Sequence, residues 1–81
     1  MRVTITFFSY FKDLTGCDHT SETLPTGSTI DDLQKQLFVR FPKLAAMQNS
    51  TLIAVGVEYQ GRSYVLQEGD EVSLFPPVQG G

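Results

Sequence analysis

The sequence has few of the residues on which metal sites and disulfide-stapled folds depend. Its 81 residues include one cysteine, Cys17, one histidine, His19, and no tryptophan. A single cysteine cannot close a disulfide within the chain, and no CxxC or Cys/His spacing supplies the ligands of a structural zinc. We therefore expect no bound metal and a reducing compartment, for which the cytoplasm fits best.

Other absences argue against nucleic-acid binding and membrane insertion. Six Lys and Arg stand against nine Asp and Glu, a formal net charge of −3, whereas binding to a phosphate backbone needs a basic face. No run of about 18 apolar residues occurs, and the N-terminus shows no basic segment followed by an apolar one. We expect protein partners, and an acidic domain favours partners with basic surfaces.

No pattern of catalytic side chains is present. Asp18 precedes His19, but neighbours on a strand point to opposite faces, so a solvated histidine is preferred to a general base or a metal ligand. Glu68, Asp70 and Glu71 surround a glycine without the ligand spacing of a calcium-binding loop, and a solvated turn is preferred. A hydrolytic or metal-dependent enzyme is therefore the least favoured class.

The N-terminal part of the sequence predicts two strands joined by a helical turn. Residues 1–8 alternate apolar and polar side chains, the period of a strand with one buried face, except that Phe8 is apolar on the polar side. Ser9 is predicted to cap the turn, and Gly16 to end it in a left-handed conformation. Residues 17–24 are rich in Thr and Ser and predict an exposed edge strand.

One long helix is the clearest prediction. After a turn at residues 25–28, Thr29 stands at the N-cap position with Asp32 three residues later, as in a capping box. Pro42 blocks the helix from continuing. Apolar residues at i, i+3, i+7 and i+11 form the face that needs a sheet to cover it: Ile30, Leu33, Leu37 and Phe41.

The second half of the sequence predicts three strands and completes the fold. Residues 51–57 are apolar on both faces, as in a central strand, Gly61 predicts a hairpin, and a closing strand ends at Phe75. The order strand, strand, helix, strand, strand, strand predicts an α+β fold of the β-grasp type, a mixed sheet of about five strands crossed by one main helix. A right-handed crossover would place the first and last strands parallel in the middle.

The chain is predicted to consist of a β-grasp domain, residues 1–75, and an extended tail, residues 76–81. Pro76 and Pro77 fix φ and lack backbone donors, so they cannot extend a sheet and should carry the chain off the domain. Gly80 and Gly81 have no Cβ and can thread a channel too narrow for side chains, which would deliver a terminal carboxylate to another protein. A glycine pair alone would be weak support, but here it follows an ordered strand and two prolines.

Several blocks of the sequence match one known family. The most specific runs from Glu68-Gly69-Asp70-Glu71-Val72 to Phe75-Pro76-Pro77-Val78-Gln79-Gly80-Gly81, and it is preceded by Val3-x-Ile5-x-Phe7-Phe8, the helix from Thr29 to Leu37, and Leu52-Ile53-Ala54-Val55. Over essentially its whole length the sequence resembles the small subunit of molybdopterin synthase, a ubiquitin-like sulfur carrier. It departs from the commoner family pattern at Gly56-Val57-Glu58, where an Asn-type residue often follows the Ala-Val pair.

The resemblance implies chemistry at Gly81. An E1-like enzyme would use ATP to adenylate its carboxylate, and a sulfurtransferase would supply the sulfur that turns the adenylate into a thiocarboxylate. The tail, from Pro76 to Gly80 and including Val78 and Gln79, would then enter the large catalytic subunit of the synthase. There the sulfur would pass to a cyclic pterin phosphate to form molybdopterin. The resemblance implies no permanently bound cofactor and a heterotetramer with two carriers.

The resemblance also implies a docking surface. In the family, the side chains at the positions of Phe7, Tyr59 and Phe75 form much of the surface that contacts the activating enzyme and the large subunit. Aromatic anchors of this kind are typical of interface cores. Phe7 lies on an alternating strand, however, and an aromatic residue there is about as well explained as part of the core.

Two other functions stay open. The chain could carry sulfur for thiamine thiazole formation or tRNA thiolation, or be conjugated to proteins through an isopeptide bond; Pro76-Pro77-Val78 and the length of the chain favour the molybdopterin branch. Alternatively, it could be a ubiquitin-like interaction module whose tail does no chemistry and whose exposed Tyr59 and Phe75 bind a partner.

Overall fold

A five-stranded mixed sheet organises the computed structural model, which describes residues 1–77. Along the sheet the strands lie in the order β2-β1-β5-β3-β4, and only β1 and β5 are parallel. The strands are β1 (Arg2–Phe7), β2 (His19–Thr23), β3 (Leu52–Val55), β4 (Glu58–Tyr59) and β5 (Glu71–Phe75), and the helices are α1 (Phe11–Thr15), α2 (Ile30–Arg40) and a 3₁₀ helix (Pro42–Met47). This architecture confirms the predicted β-grasp.

The first and last strands form the centre of the sheet, as predicted. β1 pairs with β5 in parallel, with Ile5 opposite Val72 and Phe7 opposite Leu74. All four of these side chains are buried, because the alternation of both strands turns them to the same face. The chain therefore leaves the last strand from the middle of the sheet.

Helix α2 covers that face of the sheet. Its apolar residues Ile30, Leu33 and Leu37 are completely buried, and they share one core with Phe11 of α1 and Leu44 of the 3₁₀ helix. The stripe expected from the spacing of apolar residues is thus the buried face of the helix. Within residues 1–77 the longest helix has 11 residues, and no helix is long and apolar enough to cross a membrane.

The predicted capping box begins α2. The Thr29 side chain accepts a hydrogen bond from the Asp32 N–H (3.3 Å), and the Asp32 carboxylate accepts one from the Thr29 N–H (2.9 Å). The bond from the Thr29 N–H, and then a bond from the Thr29 hydroxyl to the same carboxylate at 3.1 Å, hold the pKa of Asp32 below its usual value. Ionised Asp32 therefore stabilises the folded state. Because its pKa is lower in the folded than in the unfolded chain, this stabilisation is fully present above the unfolded pKa and is lost as pH falls through the folded pKa.

The start of α1 differs from the prediction. Ser9 does not cap the helix; it lies in the left-handed region with φ of 56°, and the N-cap position is held by Tyr10 without a side-chain hydrogen bond. A left-handed residue here lets the chain turn from β1 into α1 within three residues. Gly16 ends the helix with φ of 76°, as predicted.

The hairpin after β3 also differs from the prediction. β3 ends at Val55, and the turn is Gly56-Val57, with β4 pairing back so that Tyr59 lies opposite Ala54. Gly56 has φ of 61° while Val57 does not have positive φ, the pattern of a type II′ turn, which needs glycine at its first central position. The prediction of a hairpin turn at Gly61 was therefore wrong, and the turn lies at the preceding glycine, Gly56.

Residues 61–65 serve the start of α2 instead of forming a strand of the sheet. The Tyr64 and Arg62 carbonyls accept hydrogen bonds from the Ile30 and Asp31 N–H groups, both at 3.0 Å. A helix leaves its first N–H groups without partners in the helix itself, and this segment supplies them. Its only ladder contact among the described residues is an isolated bridge between Thr29 and Val65.

Replacing Thr29 with Ala tests the capping box. We expect Thr29→Ala to lower the free energy of unfolding by about 1 kcal/mol at neutral pH, the usual cost of losing an N-cap side chain. The difference from the wild type should narrow at about pH 3, because only the wild type has the Thr29 hydroxyl that donates to the Asp32 carboxylate at 3.1 Å, and protonation of Asp32 weakens that bond. Chemical denaturation at the two pH values measures this, and a difference that does not change with pH would contradict the role given to Asp32.

Candidate functional site

The candidate site is the end of β5, where the chain leaves the sheet. β5 is bonded on both sides, to β1 and to β3, and Leu52 of β3 lies opposite Phe75. Beyond β1, the Phe8 N–H still donates to the Leu74 carbonyl at 3.1 Å. Pro76 and Pro77 follow without strand pairing and are half-buried. The position and direction from which the tail starts are therefore fixed by the two neighbouring strands.

Three aromatic side chains surround this point on the face of the sheet opposite α2. The rings of Phe8 and Phe75 stack, with centroids 4.5 Å apart and planes at 12°, and Tyr59 meets Phe75 edge to face at 6.4 Å and 65°. With Leu52 they form what we call the aromatic patch. Tyr59 is 70% exposed and Phe8 37% exposed, so the patch presents a substantial apolar surface beside the tail.

Strand alternation explains why the patch faces away from the core. Leu74 points into the core, so the next residue, Phe75, points out. Tyr59 lies opposite Ala54 and shares its outer face. Leu52 lies on that face as well and is partly exposed, which corrects the expectation that β3 is buried on both sides. β3 has a strand on each side, but no layer of the described chain covers its outer face.

Phe7 does not belong to this surface. It has no exposed area, lies in the core, and meets Phe41 edge to face at 5.6 Å. The physical reason is that Val3, Ile5 and Phe7 share the inner face of β1, which places Phe8 on the outer one. The burial of Phe7 contradicts its predicted place on a docking surface, and Phe8 is the neighbouring aromatic residue that is exposed. Strict alternation along β1 was the signal that could have identified Phe8 from the sequence.

A shallow depression continues the aromatic patch towards the edge of the sheet. It has a volume of about 430 Å³ and is lined by Thr51, Leu52, Ile53, Tyr59, Gln60 and Gly61. It lies where the chain leaves β4, just beyond the bond from the Gln60 N–H to the Ile53 carbonyl. A side chain of a partner protein could fit into this depression beside the patch.

The tail residues given a chemical role lie mostly outside the described part of the chain. Val78, Gln79, Gly80 and Gly81 are not among residues 1–77, so the roles assigned to them stay predictions. For Tyr59 and Phe75, the structure shows that both side chains lie together at the start of the tail, which their sequence separation alone does not reveal.

The charged residues singled out from the sequence lie away from the patch. Asp70 accepts hydrogen bonds from the Gln67 N–H (2.8 Å) and from the Tyr64 hydroxyl (3.4 Å), so it stabilises the turn before β5. Burial, and then the charge of Asp70, raise the pKa of Tyr64. Glu68 accepts a hydrogen bond from the Arg2 N–H at 3.1 Å. At least two of the three carboxylates near Gly69 thus already have partners within the fold.

Asp18 and His19 are closer than predicted. The Asp18 Oδ1 and His19 Nδ1 atoms are 2.6 Å apart, although neighbours on a strand should point to opposite faces. Asp18 lies just before β2, where strand alternation does not yet apply. Both side chains are mostly exposed, and the pair lies on the edge strand, two strands away from β5.

Comparison with known proteins assigns the family. The model of the ThiS family matches residues 5–81. This chain belongs to the ThiS family. It is 35% identical to the human molybdopterin synthase sulfur carrier subunit, over 99% of this chain and 94% of that protein. It is 28% identical to the corresponding subunit of Arabidopsis thaliana, over 100% of this chain and 84% of that protein.

Solved structures support the fold of this ThiS family member. SAMP1 from Haloferax volcanii matches with a TM-score of 0.90 at 20% identity, covering 100% of both chains. A chain in the complex of subunits 1 and 2 of the molybdopterin-converting factor from Helicobacter pylori matches with a TM-score of 0.70 at 22% identity, again over 100% of both chains. The resemblance seen in the sequence is therefore confirmed at the level of family and fold.

Two substitutions in adjacent phenylalanines test the division between core and patch. Phe7→Ala should lower the free energy of unfolding by about 3–5 kcal/mol, because it leaves a cavity in the core. Phe8→Ala should cost only about 1 kcal/mol, the scale of a stacked aromatic pair. Urea denaturation of both variants measures the two values, and equal losses would contradict the placement of Phe8 on the surface.

Proposed function

We propose that this chain is a sulfur carrier for molybdopterin synthesis, and that Gly81 is the residue that carries the sulfur. The observation that carries the proposal is the exit of the tail from the central strand beside an exposed aromatic patch, in a chain related over its full length to sulfur carrier subunits. A domain of this kind needs no catalytic side chains. It has to hold its tail in a defined direction and offer one surface to the enzymes that act on it.

The chemistry would occur at the Gly81 carboxylate. An E1-like enzyme would join it to the AMP part of ATP and release pyrophosphate, which turns a poor electrophile into a good one. A persulfide on a sulfurtransferase would then displace AMP to give an acyl disulfide, and a second thiol would reduce it, leaving the thiocarboxylate and a disulfide. In the large subunit of the synthase, the thiocarboxylate sulfur would pass to a cyclic pterin phosphate, and water would hydrolyse the acyl group to restore the carboxylate. ATP would thus be used by the activating enzyme and not held by the carrier.

Each partner would have to recognise the same small region. The tail begins at Pro76, and the aromatic patch lies at its base, so an enzyme that reaches Gly81 would also contact Phe8, Tyr59 and Phe75. Aromatic side chains in such a position are typical binding hot spots. Because the patch is shared, the activating enzyme and the large subunit would bind one after the other, in the cytoplasm. The Helicobacter pylori complex shows a related fold paired with a second subunit.

Mass spectrometry of the intact protein tests the central step. Incubation with ATP, an E1-like enzyme and a sulfur source should raise the mass by about 16 Da, the exchange of one oxygen for sulfur at an activated acyl group. A variant lacking Gly81 should show no gain, although its far-UV circular dichroism should match that of the wild type. No gain in the wild type, with an enzyme that loads another carrier in the same assay, would contradict the proposal.

The same assay separates a chemical carrier from a plain interaction module. Tyr59→Ala should lower kcat/KM for loading by about tenfold or more, because a central aromatic anchor is lost. Val39→Ala is the matched control, since Val39 is 81% exposed on α2, which covers the opposite face of the sheet.

Transfer from the loaded carrier to a cyclic pterin phosphate, catalysed by the large subunit, would identify the molybdopterin branch. A loaded carrier inactive in that reaction would point to another sulfur pathway.

A further inference from the structure

The outer edge of β2 is the feature that the proposed function leaves unexplained. The Phe7 N–H donates to the Asp18 carbonyl and the Leu24 N–H to the Met1 carbonyl, both at 2.8 Å. Successive residues of a strand turn their N–H and C=O groups to opposite sides. Since Asp18 and Leu24 bond to β1, the residues at odd positions between them, Ser21 and Thr23 among them, turn these groups away from β1. An edge of this kind is a template on which a strand of another molecule can pair.

Two side chains of α2 cover this edge. Gln36 Nε2 donates to the Thr23 carbonyl at 3.2 Å, and Arg40 Nη1 donates to the Ser21 carbonyl at 3.2 Å. The two residues are four apart on α2 and therefore lie on the same side of the helix. Arg40 Nη2 also donates to the Thr20 hydroxyl at 3.1 Å. The carbonyls that an incoming strand would need are thus already bonded within the molecule.

A buried carboxylate holds both side chains in place. Glu22 is only 6% exposed, and its two oxygens accept from Arg40 Nη1 at 2.6 Å and from Gln36 Nε2 at 3.0 Å. A buried charge is costly unless it is paired, so Glu22 constrains where Gln36 and Arg40 lie. Buried ion pairs can often be replaced by apolar residues of similar volume without loss of stability. We call Glu22, Gln36 and Arg40 the edge lock.

We propose that the edge lock keeps β2 from pairing with β2 of a second copy of this chain and so keeps the carrier monomeric. The strand contains two Thr, a residue that favours sheets, and two antiparallel copies could align it with itself. The opposite edge of the sheet is protected in another way, because β4 has only two residues. Both edges are thereby closed to self-association, and the aromatic patch stays available to partners.

Removing the lock while keeping the net charge is the direct test. The variant Glu22→Val/Gln36→Met/Arg40→Met loses one negative and one positive charge, so its formal charge stays at that of the wild type. We expect sedimentation equilibrium to show self-association about tenfold tighter or more, the change that two or three added net hydrogen bonds would give. A folded triple variant that associates no more than the wild type would overturn the proposal.

Two further variants separate strand pairing from other causes. Adding Ser21→Pro to the triple variant removes an N–H that faces outward and blocks the edge, so it should restore the monomer. Association that persists would show that the new methionines cause it, and would overturn the proposal. Thr29→Ala destabilises α2 without touching the lock and should stay monomeric; if it associates as strongly as the triple variant, instability and not the open edge is the cause.

A milder variant covers the case in which the triple variant does not fold. Gln36→Met keeps the pair of Glu22 and Arg40; it removes one hydrogen bond to Glu22 and, of the two edge carbonyls, frees only that of Thr23. It should fold, as judged by circular dichroism, and should associate more tightly than the wild type by a smaller factor than expected for the triple variant. A folded Gln36→Met that self-associates no more than the wild type would count against the proposal.

Discussion

The parallel pairing of β1 with β5 is the constraint on which the rest of this structure depends. It brings residues near the two ends of the sequence together in the middle of the sheet, with Phe7 opposite Leu74. A parallel pair needs a long crossover connection, and here α2, the 3₁₀ helix and the β3–β4 hairpin all lie between the two strands. The fold therefore has to be complete before the tail has a fixed origin.

The two faces of the sheet then take different roles. The inner face is covered by α2 and supplies the core, whereas the outer face carries the aromatic patch where β5 ends. The stack of Phe8 on Phe75 joins β1 to β5 on this outer face, just as Phe7 and Leu74 join them on the inner one. A surface for partners and an origin for the tail are thus produced by the same strand pair. The edge lock would complete this arrangement by keeping copies of the chain from occupying one another's edges.

Local signals in the sequence predicted the fold well where one interaction decided the structure. The capping box of Thr29 and Asp32 fixed the start of α2, and Gly16 ended α1 as expected. The hairpin was misplaced because Gly56 and Gly61 are both plausible turn residues, and only pairing with β3 decides between them. Ser9 was misassigned for a similar reason, since its backbone conformation depends on the reversal between β1 and α1.

The candidate site was only partly predictable. Tyr59 and Phe75 followed from the family resemblance, but the stack of Phe8 on Phe75 is a tertiary contact that becomes visible only in the structure. The error at Phe7 is instructive, because neighbouring aromatic residues on a strand lie on opposite faces and a shift of one residue exchanges core for surface. The edge lock could not be predicted at all, since Glu22 and Arg40 are 18 residues apart and meet only when α2 lies across β2.

Hydrogen exchange at the Phe8 amide tests the central claim most directly, because this N–H bonds to the Leu74 carbonyl at the point where the tail begins. If β1 and β5 hold that point rigidly, the Phe8 amide should exchange only when the whole domain unfolds, with an opening free energy equal to that of global unfolding. The Gln60 amide, which bonds across the short β3–β4 hairpin, should open more readily. Exchange at Phe8 as fast as at Gln60, in a domain that is otherwise folded, would contradict the account.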